Sequence, residues 1–327
     1  MKSYKLKFVH VDSVELKCLL ISHGVKVDKS VYKWAKGRAR LDVNPLCCNC
    51  MILSCGTIVQ LADTQFYSQK LSIVLKLFRN ANDTPFTLRI KNDKPILFYE
   101  KEAVDEVSFP PASNFYHQHT SLGSPYFGNA EIQGLDWVVF MDNNLLPKDL
   151  YEILSYAIKN DGVHSLQIVS TNEVIACLDI IEDVFLEEVI LDATSQKDES
   201  IIDLYFEMGA SRVSHNLGIW DMSRENYLQM LENIAQKHGL AKILSNFVIG
   251  MEAFDSLATG ASWLAERGIL PTASVQAPTG KPALELDYYR RTKEYFAELY
   301  VKYGLEPPDS KGFNVCIARD IWNYSRK

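Results

Sequence analysis

No stretch of the 327-residue chain approaches the ~18 consecutive apolar residues that a membrane-spanning helix needs. A protein that crosses a bilayer is therefore not expected. Basic runs are missing too: none is longer than Arg38-Ala39-Arg40, and 34 Lys+Arg against 41 Asp+Glu leave a net charge of −7. Such a surface has no field to gather phosphate backbones, so nucleic acid is not expected as a ligand. The basic opening Met1-Lys2-Ser3-Tyr4-Lys5-Leu6-Lys7 lacks the apolar core and small-residue cleavage site of a secretory signal, which points to the cytoplasm. Low-complexity tracts are absent, and 47% apolar with 23% charged residues is a globular composition. Gly-x-Gly-x-x-Gly, Gly-x4-Gly-Lys-Ser/Thr and Gly-x-Ser-x-Gly do not occur, so dinucleotide, P-loop and serine-hydrolase sites have no support.

What is present divides in two. Residues 1–113 show short β-like runs broken by turn residues: Lys5–His10, Cys47–Leu53, Thr57–Leu61, Phe86–Lys91, Pro95–Tyr99 and Ala103–Phe109. Helical patterns are scarce there, and hairpin turns are expected at Ser54-Cys55-Gly56-Thr57 and Asn92-Asp93-Lys94-Pro95. This segment reads as a small α+β or β-rich module. The paired prolines of Phe109-Pro110-Pro111-Ala112-Ser113-Asn114 continue neither a helix nor a central strand and mark a linker.

Residues 114–327 repeat the order apolar strand, loop, amphipathic helix. Strands are expected at 136–141, 164–169, 188–192, 211–217, 243–249 and 271–276, and helices at 147–160, 197–209, 223–238, 254–267 and 284–303. Gly239, Gly268 and Gly304 stand where helices should end. Continuous apolar runs such as Trp137-Val138-Val139-Phe140 fit parallel strands covered on both faces. The fold expected is α/β, a partial or full parallel β/α barrel, with a doubly wound sheet second. In a barrel the ligand site lies at the carboxyl ends of the strands. Those positions are Asp142-Asn143-Asn144, Ser170-Thr171-Asn172, Asp192, His215-Asn216, Gly250-Met251-Glu252, and Gln276 with Thr279.

Three stretches carry a family resemblance: Ser214-His215-Asn216-Leu217-Gly218-Ile219-Trp220-Asp221, Leu244-Ser245-Asn246-Phe247-Val248-Ile249-Gly250-Met251-Glu252, and Leu264-Ala265-Glu266-Arg267-Gly268-Ile269-Leu270-Pro271. Together with Phe109-Pro110-Pro111 and Phe115-Tyr116, they resemble the biotin-synthase-like branch of the radical SAM superfamily over roughly residues 95–308. The resemblance implies a β/α barrel, a [4Fe-4S] cluster, S-adenosylmethionine and a role in small-molecule or cofactor biosynthesis. The chain departs from that pattern where it matters chemically. The Cys-x3-Cys-x2-Cys loop expected after the first barrel strand is replaced by Asp142-Asn143-Asn144-Leu145-Leu146. Val169-Ser170-Thr171-Asn172 stands in place of a glycine-rich turn, and Gly218 in place of an acidic residue.

Cys47, Cys50 and Cys55 are spaced Cys-x2-Cys-x4-Cys, which resembles the cluster motif of phosphomethylpyrimidine synthase. Zinc held by all four thiolates of Cys47, Cys48, Cys50 and Cys55 is a second reading, and buried apolar thiols without metal a third. In an extended strand, Cys48 and Cys50 share one face and Cys47 takes the other, so three converging thiolates require a bent backbone. His117 and His119 flank Gln118 and form a possible metal pair if Asp192 or Glu252 joins them; otherwise they are loop histidines. The tyrosines of the last long helix read as packing residues.

The candidate catalytic residues are His215, as a proton shuttle or ligand-orienting imidazole, with Glu252 and Asp192. Cofactor contacts are expected from Asn143, Thr171, Asn216, Gly250, Glu252 and Gln276. Three functions stay open. The first is a barrel that has lost the usual cluster loop and binds a small polar substrate. The second is a radical SAM enzyme with its cluster on Cys47, Cys50 and Cys55. The third is a non-catalytic partner of an active radical SAM homologue.

Overall fold

The computed structural model describes residues 2–39, 41, 50–60, 84–109, 130–133, 137–140, 165–168, 186–275, 285–308 and 316–326, with Tyr151 and Ser155. Strands β1 (Tyr4–Leu6) and β2 (Val9–Val11) form an antiparallel hairpin. One strand over Lys5–His10 was expected; the chain instead reverses at Lys7-Phe8, where Lys7 adopts a φ of 53°. Helix α1 (Ser13–His23) follows behind a capping box, in which the Asp12 carboxylate accepts from the amides of Val14 and Glu15 while Glu15 accepts from the amide of Asp12.

Helix α1 corrects the expectation of a segment poor in helix. Residues 13–22 are all buried, so the helix has no polar stripe and leaves no 3.6-residue rhythm in the sequence. Its buried charges have partners near the other end of the chain. Glu15 accepts from Lys293 at 2.8 Å and from Arg290 at 3.1 Å, and Lys17 pairs with Asp320 at 2.7 Å.

Strand β3 (Lys26–Val27) and helix α2 (Lys29–Ala35), capped by Asp28, come next. They are followed by the hairpin of β4 (Cys50–Ile52) and β5 (Ile58–Gln60), and by β6 (Phe86–Lys91), β7 (Lys94–Tyr99) and β8 (Glu102–Glu106). The β4–β5 turn falls at the expected Ser54–Thr57, where the Leu53 amide donates to the Thr57 carbonyl. Between β6 and β7, Asn92 and Asp93 both take positive φ (52° and 58°), the geometry of a two-residue hairpin turn. A small, mainly antiparallel sheet in the order β3-β6-β7-β8 results.

The second half contributes β9 (Ala130–Gln133), β10 (Trp137–Phe140), β11 (Ser165–Ile168), β12 (Glu188–Asp192), α3 (Glu199–Glu207), β13 (Arg212–Ser214) and α4 (Glu225–His238). It continues with β14 (Ile243–Ile249), α5 (Phe254–Glu266), β15 (Leu270–Val275), α6 (Leu286–Tyr303) and α7 (Ala318–Ser325). One seven-stranded sheet runs β15-β14-β13-β12-β11-β10-β9; β10 through β15 are mutually parallel, and β9 pairs antiparallel with β10. The order follows the sequence without reversal, whereas a doubly wound sheet reverses at its switch point. Right-handed crossovers between successive neighbours then place the connecting helices on one face. Among the described residues no pairing joins β9 to β15. The outer edge of β15 instead takes an antiparallel bridge from Cys316 to Ser274, and the Ile317 amide donates to the Ala273 carbonyl at 2.9 Å. Helix α1 packs against α6 and β15 as well as β5, so it touches both halves of the chain.

Candidate functional site

Residues two apart on a strand share a face, and β13 with its continuation shows this directly. The Ser214 hydroxyl and the Asn216 side-chain amide both donate to Oδ2 of Asp192, at 3.0 and 2.8 Å. His215, between them, turns to the helical face. Its ring is fully buried, its Nδ1 shares a hydrogen bond with the Tyr227 hydroxyl of α4 at 3.1 Å, and the two rings meet edge to face. The sequence grouped His215 with Asn216 and Asp192; the backbone puts them on opposite faces of the sheet. Burial holds the His215 imidazole neutral, with its pKa pushed down to about 4, and pushes the Tyr227 hydroxyl up to about 12.

Asp192 is the hub of the other face. Besides Ser214 and Asn216, it accepts from the Thr194 amide and hydroxyl, each at 3.0 Å. Three of these four donors converge on Oδ2, and the Thr194 amide alone reaches Oδ1. Burial raises its pKa above the ordinary carboxylate value, and the bonds from Thr194 and Ser214 oppose that rise in part. From here the polar row crosses the sheet. The Asn246 amide N–H donates to Asn216 Oδ1 at 3.3 Å. The hydroxyls of Thr272 and Ser274 then donate to Asn246 Oδ1, at 3.1 and 2.9 Å.

This row lines a cavity of about 180 Å³ between the sheet and the C-terminal segment. Ser214, Asn216, Asn246, Thr272 and Ser274 face it, with Gln167 of β11 at one end. Pro307, Pro308 and Ala318 close the opposite wall. The charged groups of that wall are already paired, Asp320 with Lys17 at 2.7 Å and Arg319 with Glu306 at 3.0 Å.

Glu252 does not line the cavity. One carboxylate oxygen accepts from the Trp220 amide at 3.0 Å, the other from the Ser256 hydroxyl, and its carbonyl accepts from the Tyr288 hydroxyl at 3.1 Å. It is a clamp between the loop after β13 and the start of α5. Gly250 lies beside it in the β14–α5 turn at a φ of 92°.

Cys47, Asn143, Thr171, Gln276, His117 and His119 lie outside the described residues, and Cys50 is placed by its backbone in β4. Cys55 is exposed in the β4–β5 turn, where its sulfur accepts from the Tyr4 hydroxyl at 3.2 Å and donates to Thr57 Oγ1 at 3.4 Å. Among the described residues no three His, Cys, Asp or Glu side chains converge as a metal site. Glu252 accepts one hydrogen bond on each carboxylate oxygen, about half of a carboxylate's acceptor capacity.

The sequence reading assigned no role to Ser214, Asn246, Thr272, Ser274, Thr194 or Gln167. A signal was available: Ser214-x-Asn216 and Thr272-x-Ser274 are polar residues at period two, and Ser245-Asn246 interrupts an otherwise apolar strand. Such alternation inside parallel strands marks a polar face.

The fold and this row define an α/β protein with a sequentially ordered parallel sheet and a polar cavity on one face. No protein-family profile matches the chain, and no curated protein matches it. Among solved structures, SuiB of Streptococcus suis aligns over 57% of this chain and 51% of its own length, with 14% identity and a TM-score of 0.43. The chain thus spans about half the length of that protein. No helix among the described residues is long and apolar enough to cross a membrane.

Proposed function

We propose that this chain is a radical-SAM-like protein of small-molecule biosynthesis, folded as a partial β/α barrel. The face turned away from the connecting helices α3, α4 and α5 binds a small neutral substrate, and the usual cluster site is lost. One observation carries the reading: a row of neutral hydrogen-bonding side chains on β13, β14 and β15, anchored at one end on the Asp192 carboxylate of β12, opens into a cavity of about 180 Å³. Polar groups inside a sheet core are costly unless something satisfies them, and a cavity beside them supplies room for a ligand to do so. The unreversed strand order suits a barrel wall. Of the three stretches that resemble the superfamily, the first starts at the last residue of β13, the second covers β14 from Leu244 onward, and the third runs from the end of α5 into the start of β15. The position of the usual cluster loop, Asp142–Leu146, holds no cysteine.

The test is a thermal-shift screen of small neutral and small anionic compounds on wild type and Asn246→Leu, with iron and sulfide measured on protein purified without oxygen. Neutral compounds should raise the melting temperature of wild type alone, with no iron bound. Stoichiometric iron and sulfide lost on Cys50→Ala, or equal shifts in wild type and Asn246→Leu, would overturn the reading.

A further inference from the structure

The hydrogen-bond directions inside the cavity narrow its ligand further, given that the cavity is a binding site as proposed above. Asn246 Oδ1 receives two hydroxyl protons, from Thr272 and Ser274, which fills its two lone pairs. Its Nδ2 donates to no group among the described residues, so both amide protons remain for a ligand. A hydroxyl has one proton, and Thr272 and Ser274 have spent theirs on Asn246. Toward the cavity these two oxygens act as acceptors only. Ser214 is fixed in the same way by Asp192.

Among the described residues, the cavity therefore offers an NH2 donor beside locked acceptors, and the charged side chains on its wall, Arg319 and Asp320, are each engaged in an ion pair. A carboxylate or phosphate would meet oxygen lone pairs that cannot turn into donors, and an ammonium would meet the Asn246 amide protons. A neutral group that carries an acceptor next to a donor meets both. The geometry points to the lactam edge of a ring, its carbonyl accepting from Asn246 Nδ2 and its N–H donating to Thr272 or Ser274. Leu244, Pro307 and Pro308 supply apolar walls for the ring. A cavity of about 180 Å³ has room for one ring with small substituents.

The test uses 2-pyridone, N-methyl-2-pyridone and pyridine-2-carboxylate as probes, with binding to the full chain followed by saturation-transfer NMR and titration. 2-Pyridone should bind, and the N-methyl and carboxylate analogues about tenfold or more weaker, since each loses a hydrogen bond or strands one. Asn246→Asp keeps the acceptor for Thr272 and Ser274 but removes the donors, and should weaken 2-pyridone by a similar factor. The analogue series runs on wild type, so a misfolded variant does not decide the matter. Equal binding of 2-pyridone and its N-methyl analogue overturns the lactam assignment. Binding of glycerol or a pentose in place of 2-pyridone, lost in Asn246→Leu, overturns the lactam while keeping the cavity as a polar site. Failure of every neutral probe overturns both.

Discussion

The side-chain amide of Asn216 donates to Asp192 Oδ2 at 2.8 Å, joining the ends of β12 and β13 on the face away from the helices. Because Ser214 and Thr194 donate their hydroxyl protons to the same oxygen, Oδ2 carries three hydrogen bonds and Oδ1 one, from the Thr194 amide. A buried carboxylate held in this way is an orienting element, and it fixes which protons the rest of the row can offer.

Asp192 should impose a pH dependence on stability. Its folded-state pKa is raised by burial above the ordinary value of 3.8. The folded chain therefore binds the proton more tightly than the unfolded chain, and stability falls as pH rises through the window from that ordinary value to the raised one. Urea midpoints measured across this window should show the fall in wild type and a flatter profile in Asp192→Asn. Asp192→Ala, which strands the Ser214 hydroxyl and Asn216 amide, should cost about 2–3 kcal/mol. An unchanged slope in Asp192→Asn would assign the dependence to other groups.

His215 should act with the opposite sign. Its pKa is pushed down to about 4 from 6.5 by burial, so the unfolded chain takes up the proton first as pH falls. The contribution is complete above about 6.5 and lost as pH drops toward 4, and about 2.5 units correspond to roughly 3 kcal/mol. His215→Phe keeps the edge-to-face ring contact with Tyr227 but not the hydrogen bond, so it should lower stability at every pH while removing this pH-dependent loss. The check is thermal unfolding of both proteins at several pH values between 4 and 7; parallel curves would refute the assignment.

Strand positions in the second half were legible as short apolar runs bounded by polar turns, and its helices as one buried and one solvated face. Thus 188–192 and 243–249 were read with the bounds they have in the structure, while α3 and α4 each came within two residues. Helix α1 was not legible, since burial on every side erases its rhythm. The site divided in the same way. Asp192 and Asn216 could be picked out as polar strand ends, but His215 could not be separated from its neighbours until the strand's alternation was tied to actual partners. Asn246, Thr272 and Ser274 lie within strands, and a search confined to strand ends passes over them.

The cluster of Lys293, Glu15 and Asp12 should behave as a fastener for α1. Burial alone would raise the Glu15 pKa, but the bonds from Lys293 and Arg290 outweigh it and leave it lowered. Lys293→Met leaves Glu15 buried with only Arg290, and breaking a buried pair from one side costs about 3–5 kcal/mol. Glu15→Gln with Lys293→Met removes both charges and should recover a large part of that loss. The comparison is a double-mutant cycle of denaturant midpoints; an additive cycle would show that the two charges do not depend on one another.

Gly260 offers a case where the usual sign should invert. Inside a helix, Gly→Ala normally stabilises by about 0.5–1 kcal/mol, because alanine loses less backbone freedom on folding. On α5 a Cβ at position 260 would lie 2.7 Å from the Trp220 ring, closer than real Cβ atoms come. The ring is not free to retreat: its backbone amide is held by Glu252, and Trp263 packs 5.6 Å away. Overpacking costs of about 1–3 kcal/mol exceed the propensity gain, so Gly260→Ala should destabilise. Displacing Trp220 should also shift the tryptophan emission toward that of an exposed indole. Adding Glu252→Gln, which weakens the anchor on the Trp220 amide, should let the ring move aside and reduce the loss. A Gly260→Ala protein that is more stable than wild type, with unchanged emission, would mean that the loop after β13 is not braced by Glu252 in the way the geometry indicates.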